Sequence, residues 1–197
     1  YVAGSIRAPD LFVRSTASVA GGAAVRLGDT AGGSEWLPSW SPDGQSVRFL
    51  GCPGTGGFGA ASCAWRETGR LGGAVQPAIL PQRTRNRRLA WSPDGAQVAY
   101  VVQDTIFVST ATDTIARRQA VHPSGRPDMH SLAWSPDGKL IAYVNGNAWW
   151  RNSGNLAPSS IWVVSAQGGR PQRVTTDEDL NVSPAWLDAR HLLFVSN

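Results

Sequence analysis

The sequence predicts an all-β protein made of four-stranded antiparallel units in series, and three observations predict it. The pentapeptide Trp-Ser-Pro-Asp-Gly occurs three times, at residues 40–44, 91–95 and 134–138. An aromatic-aliphatic pair stands nine positions after each of these tryptophans: Phe49-Leu50, Tyr100-Val101 and Tyr143-Val144. Glycine (22 residues) and proline (13 residues) punctuate short apolar runs throughout the 197-residue chain, a composition of many short strands and turns.

Each pentapeptide reads as the turn of a β-hairpin. Proline presets φ for the first corner of a type I turn, aspartate suits the second, and glycine accepts the left-handed position that follows. The tryptophan ends one strand (a) and the aromatic lies on the next (b), so both reach the same core layer. A fourth, worn copy has Trp186, then Leu187-Asp188-Ala189, then Phe194-Val195, with the aromatic eight positions on. One turn residue is missing there, so that hairpin is expected to differ locally.

A second set of aromatics supplies strand c: Phe12, Trp65, Phe107 and Trp162. From these to the next motif tryptophan the distances are 28, 26, 27 and 24 residues; from tryptophan to the following strand c they are 25, 16 and 28. Length variation therefore concentrates in the connection between strands b and c. A weaker strand d is expected at 24–27, 75–80, 115–121 and 172–175, after turns such as Gly72-Gly73 and Gly168-Gly169. Four-stranded units whose tryptophans are 51, 43 and 52 residues apart are the signature of β-propeller blades. The blade pieces fall at 1–30, 37–80, 88–121, 131–175 and 182–197, all within one partial propeller, 1–197. The chain opens on strand b of one unit and closes on strands a and b of another, so it is read as an arc of about four blades of a larger propeller and as a piece of a longer polypeptide.

The hairpin followed by its aromatic-aliphatic pair resembles the WD40-like propeller repeat of the TolB family, over nearly the whole chain. That resemblance implies a six-bladed parent ring, a structural rather than chemical role for the motif, and a periplasmic partner of the Tol–Pal type. Similar repeats form the outer sensor region of some membrane-anchored bacterial Ser/Thr kinases, and the resemblance does not separate the two. Both place the chain outside the cytoplasm of a bacterium.

Composition narrows the function classes. The net charge is +4, carried by 18 basic residues of which only Lys139 is lysine. Most arginines are scattered, whereas a nucleic-acid binder gathers basic charge on one face beside stacking aromatics; nucleic acid is not expected as a partner. No apolar run approaches the ~20 residues of a membrane helix, so no membrane insertion is expected in this segment. Cys52 and Cys63 lack the spacing and neighbouring histidines of a zinc site. They flank the mouth of one b–c loop, where antiparallel neighbours approach closely enough for a disulfide, and a Cys52–Cys63 bridge is expected. A bridge there would indicate an oxidising compartment; the bland alternative is a pair of buried thiols in a cytosolic protein.

No catalytic set can be assembled and no cofactor or metal is expected. The chain has no Gly-x-Ser-x-Gly elbow, His-Glu-x-x-His pair or phosphate-binding loop. Asp43, Asp94 and Asp137 could form a carboxylate ring, but each follows proline and precedes glycine, where aspartate bonds its own backbone. Trp40, Trp91, Trp134 and Trp186 could stack ligands, but their fixed place at a strand end suits packing between blades. His122, His130 and His191 read as loop or surface residues.

What remains is a surface. The b–c and d–a connections leave one face, which collects segments 51–62, 81–88, 122–130, 145–160 and 175–181. On it lie Arg83, Arg85, Arg87 and Arg88, and the run Trp149, Trp150 and Arg151. Aromatic and arginine clusters mark recognition surfaces, and guanidinium groups favour carboxylates. These residues are therefore the candidate site for a protein or peptide partner, acidic in character. Two bland alternatives stand beside that reading: the tryptophans fold back as a lid over their own blade, and Asp177, Glu178 and Asp179 neutralise the arginines. The rival function is a propeller gating a prolyl-oligopeptidase-like serine hydrolase.

Overall fold

The computed structural model describes residues 2–5, 8–15, 23–28, 33–54, 62–80, 89–110, 117–121, 123, 128–147 and 156–197. The described residues form strands and turns with no helix, and every pairing between strands is antiparallel. They group into two compact units, Tyr1–Ile79 and Leu80–Asn197.

The first unit holds two sheets. One is the three-stranded meander β1 (Val2–Ser5), β2 (Ala8–Val13) and β3 (Val25–Arg26). The other is the four-stranded meander β4 (Ser34–Trp40), β5 (Ser46–Cys52), β6 (Ala64–Gly69) and β7 (Gln76–Pro77). Leu11, Leu27, Val47 and Phe49 make the core shared by these sheets. The Glu35 carboxylate is buried there, and its Oε2 accepts the Leu11 N–H at 3.1 Å, tying β4 to β2. Gly28 packs against that carboxylate so closely that a Cβ would overlap it.

The second unit repeats the plan twice and begins it a third time. Its sheets are β8 (Leu89–Trp91), β9 (Gln97–Val102), β10 (Thr105–Thr110) and β11 (Arg117–Val121); then β12 (Met129–Trp134), β13 (Leu140–Asn145), β14 (Ser160–Ser165) and β15 (Gln172–Arg173); then β16 (Asn181–Trp186) and β17 (Leu192–Ser196). Its core joins Val101, Ile106 and Val108 of one sheet to Met129, Trp134, Ile141 and Tyr143 of the next. Tyr100 and Phe107 stack at 5.8 Å between ring centres, as the b–c pairing expects.

Strand a ends on Trp40, Trp91, Trp134 and Trp186, as the motif predicts. The turns follow the same logic, with one addition. Gly44, Gly95 and Gly138 adopt φ between 66° and 69°, and their N–H groups return to the carbonyls of Ser41, Ser92 and Ser135. Those buried serines organise the turn. Ser41 Oγ donates to Asp43 Oδ1 at 2.6 Å and accepts the Ser46 N–H at 2.9 Å, and Ser92 and Ser135 repeat both bonds. In the worn copy Asp188 takes over: Oδ1 accepts the N–H groups of Arg190 and His191, and Oδ2 meets His191 Nδ1 at 2.8 Å. Strand d is shorter than the sequence predicts, only two residues in β3, β7 and β15.

A feature absent from the sequence reading sits three residues before the tryptophan. Leu37, Ser131 and Ser183 have φ of 53°, 51° and 56°, and the register slips by one residue at each. These are β-bulges with a left-handed non-glycine residue, which cost backbone strain and increase local twist.

Candidate binding face

Within each meander, strands alternate in direction, so the b–c and d–a connections leave from the end opposite the Ser-Pro-Asp-Gly turns. In the second unit those connections are bonded to one another. Ser159 Oγ donates to the Asn181 carbonyl at 2.8 Å, and Asn181 Nδ2 donates to the Ser159 carbonyl at 3.0 Å and the Asp179 carbonyl at 3.2 Å. Ser159 N–H reaches the Asp179 carbonyl at 2.9 Å. Ser159 and Asn181 are both buried, so these bonds form in a setting where leaving them unmade is costly. They fix the return of the β13–β14 loop to the approach to β16.

The other limb of that loop is held as firmly. Asn145 Oδ1 accepts the Asp128 N–H at 2.9 Å, and the Gly146 N–H returns to the Asp128 carbonyl at 3.1 Å. His130 places Nε2 2.9 Å from the Gly146 carbonyl and Nδ1 2.9 Å from Ser131 Oγ. This corrects the expectation for His130: it is a buried residue of β12 whose ring braces the loop base. Asn147 Nδ2 then donates across the neck to the Ala157 carbonyl at 2.8 Å. Gly146 sits at φ 98° with the Pro158 carbonyl 3.1 Å from where a Cβ would stand, so only glycine fits this crossing without strain.

The neck of the loop is thus a built support. Trp149, Trp150 and Arg151, which it carries, lie outside the described residues, as do Arg83, Arg85, Arg87, Arg88 and His122. The structure therefore places neither candidate cluster. Of the acidic residues proposed as internal counter-charges, Asp177 pairs with Arg173 at 3.2 Å, and Glu178 and Asp179 are exposed.

In the first unit the corresponding neck is covalent. Cys52, at the end of β5, and Cys63, just before β6, form a disulfide with their Cα atoms 4.1 Å apart. The register explains it: Gly51 faces Ala64, so the next pair outward is Cys52 and Cys63.

The a–b turns, at the other end of each sheet, carry the aspartates. Asp43, Asp94 and Asp137 have carboxyl pKa values below the ordinary 3.8, first because the serine hydroxyl two residues earlier donates to each, then because a backbone N–H does. Each is spent on its own turn. The tryptophans also have a structural use: Trp134 Nε1 donates to the Ala90 carbonyl and Trp186 Nε1 to the Ala133 carbonyl, both at 3.0 Å. The acceptor in each case precedes the tryptophan of the previous sheet, so strand a of one sheet is bonded to strand a of the next. Among the described residues, no three His, Cys, Asp or Glu side chains gather where a metal ion could sit.

No protein-family model matches the chain, and no curated protein matches it. Solved structures do. TolB from Acinetobacter baumannii superposes with a TM-score of 0.62 at 16% identity over 92% of this chain, and a TolB-assigned protein from Agrobacterium tumefaciens with 0.64 at 22% identity over 100%. The chain spans 41% and 65% of those two proteins. A prolyl endopeptidase also matches, with a TM-score of 0.52 at 14% identity over 86% of this chain and 26% of its own.

Proposed function

From a chain that carries the TolB-type β-propeller fold, we propose a non-catalytic binding domain of an extracytoplasmic bacterial protein, which recognises a protein or peptide through its long-loop face. The observation that carries this reading is that each unit has a built neck at the base of a b–c loop. The Asn147–Ala157 bond, the Ser159–Asn181 bonds and the Cys52–Cys63 disulfide hold loop bases rigidly. Rigid scaffolds presenting variable loops are where binding residues sit. The disulfide supports an oxidising compartment, and the TolB likeness is in keeping with one.

On this reading Trp149, Trp150 and Arg151, with Arg83, Arg85 and Arg87, engage an acidic segment of the partner, the arginines pairing with its carboxylates. The test is selection of a displayed peptide library on the chain. Acidic peptides should be enriched, and Trp150→Ala and Arg85→Ala should each weaken their binding about tenfold or more, the scale of a truncated anchor residue, with an unchanged melting temperature. Normal binding by both variants, with loss of binding from folded variants of the Ser-Pro-Asp-Gly turns, would place the site on the other face.

The prolyl endopeptidase likeness favours one second reading: a propeller that gates a serine hydrolase elsewhere in the same polypeptide. A Gly-x-Ser-x-Gly elbow in the remainder of that polypeptide would decide for it; kinase motifs would decide for a sensor.

A further inference from the structure

The necks of the β5–β6 and β13–β14 loops are closed by different chemistry. In the second unit the neck is held by hydrogen bonds: Asn147 Nδ2 to the Ala157 carbonyl, the Gly146 N–H to the Asp128 carbonyl, and the His130 ring against the Gly146 carbonyl. In the first unit the Cys52–Cys63 bridge stands alone. The β5–β6 ladder ends one pair inward, with Gly51 opposite Ala64. Among the described residues, no hydrogen bond crosses from 52–54 to 62–63.

Breaking that bridge leaves the sheet its other supports. β5 pairs with β6 from Ser46–Gly69 to Gly51–Ala64, and with β4 on its other side. The core of Leu11, Leu27, Val47 and Phe49 includes neither cysteine. The chain has two cysteines in all, so a reduced neck can re-form no internal bridge but this one. The bond is therefore a two-state element on a sheet that is held in both states. Its two ends also differ in access. Cys52 is 0% exposed and lies opposite Ser34 of β4, whereas Cys63 is half-buried at the mouth of the neck, between the exposed Ser62 and Ala64. Thiol–disulfide exchange needs a thiolate to reach one sulfur, and access decides which. Here that sulfur is Cys63 Sγ.

We propose that Cys52–Cys63 is a redox latch on the neck of the β5–β6 loop, opened by a partner protein of the Cys-x-x-Cys dithiol class and closed by the disulfide form of the same class. In the opening step a thiolate of the dithiol attacks Cys63 Sγ, the bridge breaks, and Cys52 leaves as a thiolate that takes up a proton. The second thiol of the partner, as thiolate, then attacks its own sulfur in the mixed disulfide and releases Cys63, which is protonated in turn. Two electrons and two protons pass to the latch, and the partner ends as a disulfide. Closing is the reverse. The consequence for binding rests on the reading of this chain as a binding domain: a loop whose ends are fixed loses less freedom when it engages a partner, so the latched form is the tight-binding one.

The first test uses thioredoxin with its second active-site cysteine replaced by serine, which stops exchange at the mixed disulfide. The oxidised chain should form an adduct, and mass spectrometry should place it on Cys63; no adduct, or one on Cys52, would overturn the proposal. The second compares amide hydrogen exchange of the chain before and after dithiothreitol. Cys52, Cys63 and Ala64 should exchange about tenfold faster or more when reduced, with Val47 and Phe49 unchanged and the difference reversed on reoxidation. Unchanged exchange at the neck would mean that other contacts hold it, and faster exchange throughout the sheet would mean that the bridge staples the fold; either result overturns the latch. Acidic peptides selected on the oxidised chain should then bind the reduced chain about tenfold more weakly or worse and recover on reoxidation. Equal binding in both states would overturn the regulatory role. A library that yields no acidic peptide counts against the binding reading alone, because the trapped adduct and the exchange decide the latch without it.

Discussion

Replacing Cys52 and Cys63 together by alanine tests how the loop face is held. The bridge spans a sequence separation of 11 residues. In the chain-entropy account, closing a loop of that length removes about 9 cal/mol/K from the unfolded ensemble, or about 2.8 kcal/mol at 25 °C. For a chain of this size each kcal/mol moves the midpoint by roughly 2–4 °C, so the variant should melt about 6–11 °C lower than the oxidised parent. The reduced parent should fall by a similar amount, which separates loss of the cross-link from loss of the sulfur atoms in a buried position. Differential scanning calorimetry of the three samples, with thiol titration of the unfolded, unreduced parent, makes the measurement. Two free thiols in the parent, or a drop below about 2 °C in the variant, would refute the reasoning.

Two further outcomes follow from the repeat bonds. Trp134→Phe removes the donor to the Ala90 carbonyl and part of a buried ring, and should cost about 2–3 kcal/mol in urea unfolding; Trp40→Phe should cost less than about 0.5 kcal/mol because that ring is largely exposed. The carboxyls of Asp43, Asp94, Asp137 and Asp188 titrate below the ordinary 3.8 in the folded chain, so their contribution to stability is present above that value and is lost as pH falls through the folded values; urea midpoints should be flat from pH 7 to about 5 and fall below 3.8, less steeply in Asp137→Asn.

The architecture was legible because it repeats. One Trp-Ser-Pro-Asp-Gly would have given only a hairpin, but its recurrence fixed where strands end, and the structure ends them on all four tryptophans. The disulfide followed from the same counting, since Cys52 and Cys63 flank the mouth of a predicted b–c loop; the register that pairs them, one step outward from Gly51 and Ala64, is seen only in the structure. Strand d was overestimated because it is an edge strand: half its pairing is missing, and two residues suffice in β3, β7 and β15. The bulges left no compositional trace, since leucine at 37 and serine at 131 and 183 are not residues that announce a left-handed backbone. Only their common offset from the tryptophan gives them away.

The candidate site was legible in outline and not in its parts. A period constrains residues that pack against copies of themselves, whereas b–c and d–a connections answer to no such neighbour. That is why His130 was misjudged. The sequence reading puts 122–130 in a connection, whereas β12 begins at Met129, and simple strand alternation would then bury Met129 and leave its neighbour outside. Both are buried, because the base of the β13–β14 loop covers the second side and offers His130 the Gly146 carbonyl. The same reasoning explains the serine of the pentapeptide. Proline, aspartate and glycine describe a turn by their backbone preferences alone, but Ser41, Ser92 and Ser135 earn their place through bonds to residues on both sides of it. Where the worn copy replaces that serine with Leu187, Asp188 is freed to bind Arg190 and His191 instead. The hairpin survives the loss of its motif because a carboxylate with two N–H donors within reach can close a turn without the serine.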